Sequence, residues 1–190
     1  MHHLRCVVLL IVALLAPLCA GDADDVKRYH DLGRAIVDQV NAGKLDVATV
    51  EANVLGQVRI AVAMARRYAE RHPTGKRMLD TAISQAAAVD AQGAVTGLGP
   101  MKDMAFATIE GDWHDLGHFK TTPADAGGLD LANEDNEHFT DPLHAIVHPL
   151  MVLAAAKAWA KEPKAEHLAA AKAEMEEGIE QIEKTAKALR

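Results

Sequence analysis

The sequence predicts an all-α fold: an antiparallel bundle of four to five long helices carrying a long, partly irregular insert around residues 93–140. Three observations predict it. Hydrophobic residues make up 49% of the chain but aromatics only 4%, so the core must be built from Ala, Val, Leu, Ile and Met, which favours close-packed helices over a sandwich. Apolar residues recur at three- and four-residue intervals over long stretches, the spacing of one helix face. Between 92 and 140 that spacing fails, and glycine and proline punctuate the chain.

The first twenty residues stand apart. A weakly basic "MHHLR" precedes the apolar run "CVVLLIVALLAPLCA", and the polar "GDADD" follows. This is the layout of a secretory signal peptide with cleavage after Ala20. The run is shorter than the roughly 20 residues a spanning helix needs, so no stable membrane insertion is expected after cleavage. A lipoprotein reading would use Cys19, but the preceding Leu18 is bulkier than the small residue such sites take. Residues 21–190 then form a single exported domain, periplasmic or secreted.

In that domain a first helix starts at Asp24 with Val26, Tyr29, Gly33, Ile36, Val37 and Val40 inward, and "NAG" at 41–43 stops it. Asp46 can cap a second helix, which runs on Val50, Val54, Val58, Ala61, Ala65 and Tyr68 until Pro73 breaks it. A third is expected from Lys76 to about Ala91. Asp141 and Pro142 read as the cap and first turn of a fourth, carrying Leu143, Ile146, Val147, Leu150 and Leu153. The last follows "KEPK", with Leu168, Met175, Ile179, Ile182 and Leu189 inward and pairs such as Glu180–Lys184 outside. Within the insert a short helix is expected from Pro100 to about Glu110, burying Met101, Ala105 and Ile109. Trp113 and all three phenylalanines lie in this insert, which should therefore pack onto the bundle.

Composition excludes several functions. The net charge is −7 and no Lys/Arg-rich block is present, so no nucleic-acid footprint is visible. Both cysteines, Cys6 and Cys19, fall in the leader, so the mature chain has no disulfide, thiolate zinc site, cysteine nucleophile or covalent haem link. No dinucleotide or phosphate loop, nucleophile elbow, His-Glu-x-x-His helix or paired Glu-x-x-His motif occurs.

What remains is histidine. "EDNEHFTDPLHAIVHPLMVL", from Glu134, holds three histidines and four carboxylates within fifteen residues. His114/His118 and His144/His148 are spaced i,i+4, close enough on a helix to share an ion, where chance predicts roughly 0.4 such pairs for the mature chain. Glu110 and Glu134 stand four residues before His114 and His138, and Asp141 stands three before His144, positions for a direct oxygen ligand or for an acceptor that orients an imidazole. The metal candidates are therefore His114, His118, His138, His144, His148, Glu110, Glu134 and Asp141. Imidazole with carboxylate suits a divalent transition metal: Zn, Ni, Cu, Co or Fe.

Each histidine also has a plainer reading, as a solvated group or as a structural one at the core's edge. No separate nucleophile or base is evident, so carrier, buffer or sensor fits better than enzyme. Catalysis would need an open coordination position, with Glu137 or Glu134 as base. The alternatives are a non-metal module that binds a small ligand or a protein and uses histidines as pH-responsive groups, and a noncovalent haem bundle with His30, His144 or His148 and a Met as axial ligands.

Overall fold

A computed structural model describes residues 21–190; the expected signal segment and its cleavage point lie outside them. Helices α1 (Asp22–Asn41), α2 (Val47–Arg71), α6 (Thr140–Lys161) and α7 (Ala165–Ala188) form the bundle. Each packs on the next in that order, and α7 closes the ring on α1. Among the described residues the protein is all-α apart from one small hairpin.

The ends of α1 and α2 follow local chemistry. Gly43 takes a left-handed conformation (φ 71°) after α1, and the Asp46 side chain accepts the Thr49 backbone N–H at 2.8 Å, capping α2. The bundle is antiparallel. Arg67, late in α2, pairs with Asp22 at the start of α1 at 2.9 Å, while Gln57, mid-helix, meets Tyr29 and Met175.

Helix α6 is the central element. From Pro142 to Ala156 every residue but His144 is buried, so it is apolar all round, as a helix enclosed by neighbours must be. Each fully buried Leu, Ile or Val there contributes about 1.5–3 kcal/mol of transfer free energy. Asp141 does not cap α6. A 3₁₀ segment, Glu134–Phe139, runs straight into the helix, so Asp141 sits inside the first turn.

The third helix, α3 (Lys76–Ala86), is shorter than the expected run to Ala91. Strands β1 (Ala87–Val89) and β2 (Val95–Leu98) replace its last turn with an antiparallel hairpin. The turn decides this: Asp90 accepts the backbone N–H groups of Gln92 and Ala94 at 3.0 and 2.8 Å, and Gly93 adopts φ 84°. The expected Pro100–Glu110 helix is likewise divided. A 3₁₀ turn (Pro100–Asp103) is followed by α4 (Phe106–Ile109), a single π turn (Glu110–His114) and α5 (Gly117–Thr121). Met101 and Ile109 are buried, but Ala105, at the break, is exposed. Trp113, Phe119 and Phe139 are buried, so the insert is packed, not peripheral.

Candidate metal centre

His148 is set on the central helix by three neighbours. Pro149 has no N–H to give the Ala145 carbonyl one turn back, and the buried Tyr29 hydroxyl donates to that carbonyl instead, at 2.9 Å. Gly178 of α7 lies opposite, where a Cβ would stand 3.0 Å from both the His148 Cβ and the Tyr29 hydroxyl. The missing side chain lets α7 approach closely, since a Cβ there would press on both atoms. That approach brings Glu174 to the imidazole, whose Nδ1–H donates to a carboxylate oxygen at 2.8 Å.

His114 arrives from the insert. The π turn that ends on it closes with the Asp115 N–H donating to the Glu110 carbonyl at 2.8 Å. Such turns place a side chain where an α-helix would not, and they recur at functional sites. Leu116 follows in the left-handed region (φ 62°), and Gly117 lies so close to the Gly111 carbonyl that a Cβ would collide with it. The loop is thereby fixed against its own start. It is also no helix, so His114 and His118 do not share a helix face despite their spacing.

One ring nitrogen from each of His114, His144 and His148 lies within 4.8 Å of the corresponding atoms of the other two. The rings of His114 and His144 stack at 4.6 Å and 13°, and His148 stands edge-on to both, at 5.1 and 5.6 Å. Each ring has one nitrogen on an oxygen. His114 Nδ1–H donates to Asp115 at 2.9 Å, His144 Nε2–H to the His114 carbonyl at 3.0 Å, and His148 Nδ1–H to Glu174. In unprotonated rings these partners fix the tautomers and leave one lone pair each, on Nε2 of His114, Nδ1 of His144 and Nε2 of His148. The His148 Nε2 is buried without a hydrogen-bond partner, on a side chain only 1% exposed. Burial holds the His144 imidazole neutral, its pKa lowered to about 4.

The other expected ligands are engaged differently. His118 donates to Asp125 at 2.9 Å and stacks on Trp113 at 4.5 Å. His138 Nδ1 stands 2.6 Å from the Tyr68 hydroxyl, with His72 and Phe139 against it. Glu110 and Glu134 are exposed. Asp141 is half-buried, which raises its carboxyl pKa, and has Glu137, His138, Lys184 and Glu180 around it. Beyond the expected set, α7 supplies Glu174, and Glu177 one turn on, whose carboxylate lies 3.9 Å from the His148 Nε2. No spacing in the sequence links residues 148 and 174. The one available signal was Gly178 inside an amphipathic helix, a mark of close backbone approach.

The chain matches no protein-family model, no curated protein and no solved structure.

Proposed function

We propose that this is an exported protein that binds a divalent transition metal through His114, His144 and His148, acting as a carrier, buffer or sensor. One observation carries the reading: three imidazoles converge, each with one nitrogen satisfied by an oxygen acceptor and the other left over, the His148 Nε2 buried with no partner at all. A buried polar atom without a partner costs about 1–3 kcal/mol, and a metal ion would satisfy three lone pairs at once. Metal-ligating histidines characteristically give their second nitrogen to a carboxylate or carbonyl, which is the arrangement of all three rings.

Ring centroids 4.6–5.6 Å apart leave room between them for one ion rather than a macrocycle, which favours a metal ion over haem. The neutral state of His144 has the same sense, since only an unprotonated imidazole ligates. The test is metal content of the natively purified mature protein, with thermal melts of the stripped protein against Zn, Ni, Cu and Co. A metal-dependent rise in Tm that disappears in the His144→Ala/His148→Ala double variant is expected. A rise that survives the double variant would remove this site from the account.

A further inference from the structure

Three neutral imidazoles leave a divalent ion with its full charge and one tetrahedral position unfilled. The carboxylates nearest the rings differ in whether they are free to fill it. Asp115 and Glu174 already accept imidazole N–H groups, from His114 and His148. Glu177 does not. It lies three residues after Glu174 on the same face of α7, so the two carboxylates flank opposite nitrogens of one imidazole: Glu174 at Nδ1, Glu177 at Nε2. The Glu177 oxygen is 3.9 Å from Nε2, too far for a hydrogen bond, and Nε2 remains the buried nitrogen without a partner. An anion facing a lone pair at that distance is an arrangement a cation between them would complete. Two ligand atoms about 2.0–2.2 Å from a tetrahedral ion stand roughly 3.3–3.5 Å apart; Glu177 lies outside the 4.8 Å group of the three imidazoles, so it must swing in to join them, and its half-exposed side chain is free to do so.

Resting on the metal reading above, we infer that Glu177 is the fourth ligand, closing a three-histidine, one-carboxylate tetrahedral site of the kind zinc takes. The consequence is functional. A closed shell holds its ion without a coordinated water, as in storage or transport, whereas three histidines and an open position would generate a metal-bound hydroxide. The carboxylate also lowers the charge of the ion with its four direct ligands to +1. Because it comes from the exposed edge of α7, it is the ligand that can let go first, which gives the ion a route out.

The test loads the full mature protein with Co(II), a spectroscopic stand-in for zinc, and compares it with Glu177→Gln, using Glu180→Gln as a control of equal charge change one turn away. Glu177→Gln removes an anionic ligand from an exposed position and leaves the core intact. The expected result is an intense tetrahedral visible spectrum, indifferent to added azide, in the unsubstituted and Glu180→Gln proteins. Glu177→Gln should lose at least about tenfold in affinity, and its spectrum should become azide-sensitive as a position opens. An unsubstituted protein whose spectrum already responds to azide, or a Glu177→Gln protein with unchanged affinity and spectrum, would overturn the fourth-ligand assignment while leaving the three histidines standing. Absence of any Co(II) or Zn(II) binding would overturn both.

Discussion

The Tyr29 hydroxyl of α1 donates to the Ala145 carbonyl of α6, the carbonyl that Pro149 leaves without its helical donor. The bond is buried, and it ties the first helix to the central one beside His148. Tyr29→Phe keeps the ring and removes only the hydroxyl, orphaning that carbonyl. A loss of about 1–3 kcal/mol is expected in urea denaturation, with helical circular dichroism unchanged. An unaltered midpoint would mean the carbonyl finds another donor.

Gly178→Ala gives a prediction whose sign separates two effects. In an exposed helix the change stabilises by about 1 kcal/mol. Here the new methyl would meet the His148 Cβ and the Tyr29 hydroxyl at 3.0 Å, so the variant should instead lose about 1–3 kcal/mol and bind metal more weakly. Stabilisation would show that α6 and α7 have slack at His148.

Glu174→Gln tests the orienting contact. The neutral amide retains the shape but weakens the acceptor that holds the Nδ1–H of His148 at 2.8 Å. Metal affinity, measured by competition with a chromophoric chelator, should fall by about 10–100-fold while Tm of the metal-free protein changes little by comparison. An unchanged affinity would show that His148 is oriented by packing alone.

Acidification should destabilise the metal-free protein through His144. Burial lowers its folded pKa to about 4, below the unfolded value near 6.5, so between those limits the unfolded chain binds the extra proton. The contribution is therefore complete above about pH 6.5 and is lost as pH falls towards 4, in total on the order of 3 kcal/mol. Denaturation at successive pH values, with chelator present, should show a steeper acid loss than in His144→Gln. Equal slopes would mean that His144 titrates normally.

The bundle was legible because it is repetitive. Val50 to Tyr68 and Leu143 to Leu153 repeat at helical spacing, and Asp46, Gly43 and Pro73 mark helix ends through their own backbone chemistry. The hairpin was not legible, since "AAVDAQGAV" carries helical alanines and its turn depends on Asp90 binding two backbone N–H groups. The His144/His148 pair was visible as an i,i+4 spacing within a helix. The same spacing at His114/His118 carried no such meaning, because Leu116 in the left-handed region breaks the path between them. Glu174 and Glu177 could not be found at all: their relation to His148 exists only through the packing of α7 on α6.

The central claim is most directly tested by diffraction from crystals grown with zinc, using an anomalous difference map at the zinc edge. A single strong peak is expected among His114 Nε2, His144 Nδ1 and His148 Nε2, about 2.0–2.1 Å from each. A peak only at some other group, such as His72 with His138, or none in crystals soaked at saturating zinc, would contradict it.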